Sequence, residues 1–380
     1  MSSQATEETD ARPLQAGPVP ICEFIFCNGA ATELIKFGCI ELRHAVPSAL
    51  STLFLIIPGN PGVVQYYRPF LTALYQGFKG RYPVWAISHA GHCDPPRGMP
   101  MSDGPKKDHD IFGLEGQIYH KIAFLREQVD PSVRVVLIGH SIGCYIILEM
   151  MKREPQLKVV KAVLLFPTIE RMSTSPQGRY LSPVLCNLRY LFYPSIAILS
   201  LLPKHLKSML TYWAFRCFSL GAVPNSNFVK ACLSLFNVHC VANSMFMASQ
   251  EMRTVVQRDD ETIKKYLNKL LFYYGTDDQW CPKTYYEDLH RDYPCGDIRL
   301  CTKKIKHAFV LNDSVEMAWL VHGWLEHIVS QTQGRKELRV AVTVVGVRVG
   351  RCRICGGGGP FCHEHARKSD AGGGHSAHHT

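Results

Sequence analysis

The sequence predicts an α/β protein: a mostly parallel central sheet with helices on both faces and an inserted helical lid. Three observations predict it. Uninterrupted apolar runs such as Thr52–Ile57 (TLFLII) recur along the chain, and a run of that kind marks a strand buried on both faces. Helical segments fall between these runs in regular alternation, the pattern of a parallel sheet with crossover helices. The alternation breaks over residues 167–259, in a stretch that is mostly helical and unusually apolar.

Taken in order, residues 1–20 are polar, carry Pro13, Pro18 and Pro20, and read as a flexible leader. Glu23–Asn28 and Glu33–Cys39 have strand character and form a hairpin, expected to close through a Gly-Ala turn. Thr52–Ile57 ends at Pro58-Gly59-Asn60-Pro61-Gly62, a tight loop by composition. A helix from about Tyr66 to Phe78 leads to a strand at Val84–Ser88. Val133–Ile138 and Lys158–Phe166 are two further buried strands, and Leu271–Tyr274 and Ile298–Cys301 two more. Helices are expected over Leu114–Gln128, Ile142–Lys152, Asp260–Leu270, Pro282–Asp292 and Val315–Val329. The chain thus divides into a core in two parts (21–166 and 260–332), an apolar lid or membrane-docking insertion (167–259) and a low-complexity, disordered tail (333–380).

Composition narrows the function. Of 380 residues 46% are hydrophobic and 19% charged, the balance of a globular protein with a sizeable core. The net charge of +10 is not spread evenly: from Arg335 onward there are 8 Lys+Arg and 3 Asp+Glu, so +5 belongs to the last 46 residues. The rest holds 34 basic against 29 acidic residues, so charge gives no support to nucleic-acid binding. The first ten residues are polar and acidic rather than a signal peptide, which with fifteen scattered cysteines points to a reducing compartment. Ser2 excludes N-myristoylation, and no apolar run reaches the length of a spanning helix. Tyr190–Pro203 carries no charge over 14 residues and is flanked by Arg189, Lys204 and Lys207. Two readings of it stand equally: an interfacial or re-entrant element broken at Pro194, or a buried core helix. Cys352, Cys355, Cys362, His363 and His365 are zinc-type ligands, yet they lack regular spacing and a surrounding domain, so no metal site is assigned.

Gly139-His140-Ser141-Ile142-Gly143 is a G-x-S-x-G match, and its setting gives it weight. A buried strand precedes it and a helix follows, which is where a nucleophile elbow must lie. Serine needs a base, and in folds of this kind the partners follow in the order Ser, acid, His. After Leu271–Tyr274 comes Gly275-Thr276-Asp277-Asp278, where Asp278 fits the acid position and Asp277 caps or solvates the turn. His307, in the loop before the last helix, is the base. His89 and His92 precede the serine and are expected to line the pocket instead. Two backbone N–H groups should form the oxyanion hole: Ile142, after the nucleophile, and Asn60, because Pro58 and Pro61 have no N–H to give. This chemistry calls for no cofactor and no metal.

The IPGNPG loop, SHAGH, LIGHSIG, LLFPTIERM, RDDETIK, YYGTDDQWCP and IKHAF together resemble the lipid droplet-associated hydrolases across residues 22–330. The resemblance implies an α/β-hydrolase fold and a Ser-Asp-His triad at Ser141, Asp278 and His307. It also implies residence on lipid droplets and the endoplasmic reticulum, facing the cytosol, and action on neutral lipid esters such as cholesteryl esters. Residues around 180–215 would then meet a phospholipid monolayer. Beyond about residue 333 the chain departs from the family pattern and inherits nothing. A weakly active or non-catalytic droplet-organising protein remains the alternative, and a soluble thioesterase or peptidase a third. Oligomeric state is left open.

Overall fold

The computed structural model describes residues 18–43, 52–102, 110–218 and 226–327. Most of the expected leader, and the whole tail with its Cys352–His365 ligand set, lie outside them. Eight strands form one sheet: β1 (Ile21–Cys27), β2 (Ala30–Phe37), β3 (Thr52–Ile57), β4 (Val84–Ile87), β5 (Arg134–His140), β6 (Val159–Leu165), β7 (Leu270–Tyr274) and β8 (Asp297–Leu300). Their spatial order is β1-β2-β4-β3-β5-β6-β7-β8. β2 runs antiparallel to both β1 and β4, and every other neighbouring pair is parallel. The apolar runs explain the centre of the sheet, where every residue of β3 and β7 is buried.

The hairpin closes differently from the sequence expectation. Cys27 pairs with Ala30, so the turn is Asn28-Gly29 rather than Gly-Ala. Both turn residues have positive φ (+48° and +81°), which Asn and Gly tolerate and which matches the twist of a two-residue hairpin.

Helices α1 (Arg68–Gly77), α2 (Leu114–Gln128), α3 (Ile142–Arg153), α9 (Asp260–Tyr266), α10 (Lys283–Asp292) and α11 (314–327) flank the sheet in sequence alternation with its strands. A 3₁₀ turn, Val64–Tyr67, occupies the start of the first expected helix. Strand order reverses between β3 and β5, so the loops leaving these two parallel neighbours diverge. Such a switch point opens a crevice at the carboxyl ends of the strands. Pro58–Gly62 leaves β3 there, and Ser141 leaves β5 there.

Between β6 and β7 lie α4 (Pro176–Pro183), α5 (Tyr193–Ser200), α6 (Lys204–Phe218), α7 (Ser226–Ser234) and α8 (Val238–Thr254), with short π and 3₁₀ turns joining α4 to α5. Asn237 caps α8 by accepting from the amides of His239 and Cys240. α8 turns Met247 and Met252 into the main core. α5 buries nothing. Pro194 stands in its first turn, where its missing N–H costs no hydrogen bond, so it starts a helix instead of breaking one. Leu191 and Leu201 beside it are 71% and 83% exposed, and Tyr190, Phe192 and Ile198 are also exposed. A buried core helix is therefore not what this segment forms. No single helix among the described residues is long and apolar enough to cross a membrane; α7 and α8 reach that length only together, across an 84° bend.

Candidate active site

Ser141 sits between the end of β5 and the first residue of α3 with φ +54° and ψ −122°, a conformation a side-chain-bearing residue rarely adopts. The turn stays this tight because α3 abuts β3. A Cβ on Gly143 would lie 2.3 Å from the Ile57 carbonyl oxygen and 2.6 Å from that of Pro58. The strained turn presents Ser141 Oγ to the crevice, and His307 Nε2 stands 2.9 Å from it. On the other side of the ring, His307 Nδ1 is 2.6 Å from Asp278 Oδ2.

Asp278 is buried and Asp277 exposed. The Asp278 Oδ1 accepts from the amides of Trp280 (2.7 Å) and Cys281 (3.1 Å), and Oδ2 also accepts from the Cys281 thiol at 3.2 Å. Burial alone would push this carboxyl up. The His307 ring and the hydrogen bonds outweigh it and hold Asp278 below its usual range, so the group is an anion at neutral pH. Donor atoms of Asp278, Cys281 and His307 lie within 4.8 Å of one another, close enough for an ion. However, burial, reinforced by the Asp278 charge, pushes the Cys281 thiol far up. The protonated thiol donates to Asp278 Oδ2 and so helps to hold that carboxylate in place.

Of the two expected oxyanion donors, Ile142 follows Ser141 directly and Asn60 lines the same cavity. Ile142 is the first residue of α3, so its N–H has no carbonyl partner within the helix. Among the described residues no group accepts from the Asn60 amide, whereas the preceding amide, Gly59, donates to Tyr67 Oη at 2.7 Å. The Asn60 side chain is committed elsewhere: its Nδ2 donates to the Ser244 carbonyl (3.0 Å) and to Glu251 Oε1 (2.7 Å), both on α8. Glu251 is 3% exposed, and burial raises its carboxyl to about 7, the Asn60 hydrogen bond opposing.

Ser141, His307, Asn60 and Glu251 all line one cavity of about 470 Å³, whose remaining walls include Leu181, Leu185, Leu235, Met245, Met252 and Leu311. A cavity of that size, apolar except for a few convergent polar groups, suits a small lipid or the reactive end of a larger one. His89 and His92 do not line it. They stand one layer behind, fully buried, with His92 Nδ1 accepting from the Gly62 amide at 3.0 Å. Burial depresses both, and His92 falls to about 3, so neither is a proton carrier at neutral pH.

Sequence reasoning missed four residues here: Tyr67, His140, Glu251 and Cys281. His140 was visible inside the G-x-S-x-G motif, but its partners are 73 and 167 residues away in sequence.

The chain matches the family described as lipid-droplet associated hydrolase over residues 51–310. It is 50% identical over 319 residues to the lipid droplet-associated hydrolase of Gallus gallus, covering 83% of this chain and 98% of the relative. The human protein of the same name is 47% identical over 307 residues, covering 79% and 93%. Among solved structures, a laboratory-evolved potato epoxide hydrolase superposes with a TM-score of 0.53 at 16% identity, over 81% of this chain and all of that one. A putative lipase from Acinetobacter baumannii gives 0.52 at 12% identity, over 82% and 93%. These distant likenesses speak for the fold alone.

Proposed function

Since the chain belongs to the lipid-droplet associated hydrolase family and has the α/β-hydrolase fold, we propose that it is a serine esterase of neutral lipid esters. Its substrates are of the cholesteryl ester or acylglycerol class, and it acts at the surface of lipid droplets and the endoplasmic reticulum on the cytosolic side. There it contributes to the turnover of stored cholesterol and triacylglycerol.

The observation that carries this reading is the hydrogen-bonded line Ser141–His307–Asp278 opening into a mostly apolar cavity. Ser141 Oγ attacks the ester carbonyl while His307 Nε2 takes its proton. Asp278 holds the ring in the Nδ1–H tautomer and stabilises the imidazolium. The carbonyl oxygen becomes an oxyanion facing the Asn60 and Ile142 amides, and the N-terminus of α3 adds a favourable dipole. Collapse breaks the ester C–O bond, and His307 returns the proton to the leaving alcohol. Water then attacks the acyl-Ser141 ester by the same route, releasing the fatty acid and free serine.

The exposed face of α5 and its neighbours supports docking on a phospholipid monolayer. An apolar surface of this kind enters the acyl region, while the exposed Lys204 at the start of α6 can meet headgroups; Lys207 instead donates to the Ser200 carbonyl at the end of α5. The same face would serve a droplet-organising protein that does no chemistry, and a fluorophosphonate probe separates the two. The wild-type protein should label and Ser141→Ala should not. A wild type that stays unlabelled, or a variant that labels equally, removes the nucleophile and leaves the organising role.

A further inference from the structure

We propose that Tyr67 and His140 are positioning residues that lock the oxyanion loop to the backbone of the catalytic histidine, so that one hydrogen-bonded relay sets the spacing of both. The inference rests on the esterase reading.

The direction of every bond in the relay is fixed by chemistry. The His307 carbonyl oxygen can only accept, so His140 Nε2, 2.9 Å away, must carry a hydrogen. His140 is buried, and burial, with the nearby His307 ring, depresses it to about 3, so the imidazole is neutral and its Nδ1 has no hydrogen. That nitrogen is 2.6 Å from Tyr67 Oη, and only the phenol can donate there. With its hydrogen committed, Tyr67 Oη accepts from the Gly59 amide at 2.7 Å. The line therefore reads Gly59 N–H to Tyr67 O–H to His140 Nδ1, then His140 Nε2–H to the His307 carbonyl.

Its two ends are the parts of the site that must agree. Gly59 precedes Asn60, the oxyanion donor, and holding the Gly59 amide on Tyr67 leaves the next amide free for the substrate. The other end grips the main chain of His307, whose ring reaches Ser141. The loops after β3 and β8 share no strand pairing, and this relay joins them across the strand that carries the nucleophile. Burial fixes the geometry further: Tyr67 is fully enclosed, and Phe309 packs edge-on against both rings. Removing the Tyr67 hydroxyl would leave the Gly59 N–H and His140 Nδ1 both unpaired in a dry interior.

The test is the rate of fluorophosphonate labelling of the full chain, together with turnover of a soluble short-chain ester. Tyr67→Phe should fold, and should lower both the labelling rate and kcat by roughly 100-fold, the penalty of misplacing a reacting group, while KM holds. A second pair keeps the test independent of how well that variant folds. His140→Gln keeps an amide donor for the His307 carbonyl and should retain part of the rate; His140→Leu keeps no donor and should fall to the level of Tyr67→Phe. Wild-type rates in a folded Tyr67→Phe, or equal rates in the two His140 variants, overturn the relay while leaving the esterase reading intact. A wild type that does not label overturns the esterase reading, and the relay falls with it.

Discussion

At Asp278 four donors converge on one carboxylate: two backbone amides, a thiol and the His307 ring. Its sequence neighbour Asp277 is solvent-exposed and makes none of these contacts. The difference predicts opposite outcomes for the same isosteric change. Asp278→Asn should lower kcat on a soluble ester by about 10⁴-fold, because an amide facing Nδ1 favours the wrong histidine tautomer. Asp277→Asn should stay within a few-fold of wild type; steady-state kinetics on both variants decides it. This carboxylate was legible from sequence because the loop after a buried strand is short and its spacing offers two acids, of which one fits. Tyr67 and Glu251 were not legible. Tyr67 takes its meaning from His140, 73 residues on, and Glu251 from Asn60, 191 residues back; an isolated tyrosine or glutamate in a helical stretch leaves no local mark.

Among the elements, α5 shows how composition and folding give separate information. Its charge-free sequence fits a core helix and a surface helix equally well, since periodicity is absent when nearly every position is apolar. Only its placement, with no residue buried, separates the two. The exposed leucines flanking it give the docking proposal a direct test. Leu191→Asp with Leu201→Asp touches no core contact and should leave thermal stability and soluble-ester turnover near wild type. Each leucine taken from lipid forfeits about 1.5–3 kcal/mol, so for the pair flotation with phospholipid-coated triolein droplets should show affinity lowered by at least about 100-fold. Unchanged flotation would place the docking surface elsewhere. The hairpin at the sheet edge teaches the reverse lesson. Asn28-Gly29 is a strong local signal for a two-residue turn, and reading the second strand from Glu33, three residues past its start at Ala30, obscured it.

For the molecule as a whole, the mostly parallel sheet was foreshadowed by the alternation of apolar runs with helical segments, whereas the packing of the insertion on the core was not. Asn60 supplies that link through Glu251, and the link is pH-dependent. A carboxyl that titrates near 4.5 when unfolded and about 7 when folded holds its proton in the native state across the interval between. There the native state binds more protons, so this group's contribution to stability is full below about 4.5 and is lost as pH rises toward 7. The slope is on the order of 1.4 kcal/mol per pH unit at most. Buried His89, His92, His120 and His140 are depressed and pull the other way below their ordinary range. The informative quantity is therefore the difference between wild type and Glu251→Gln, which keeps the acceptor for Asn60 but cannot ionise. Thermal melts should show the variant gaining on wild type as pH rises through that interval; parallel curves would mean Glu251 is already ionised in the fold. Under the docking proposal, the exposed apolar face of α5 carries a kinetic consequence of its own. A catalyst held in a monolayer samples ester in two dimensions, so its effective substrate concentration is a mole fraction among surface lipids. Turnover is then governed by how much ester dissolves among the phospholipids and by how quickly fatty acid drifts away sideways, and a droplet swollen with stored ester need not be hydrolysed faster than a small one.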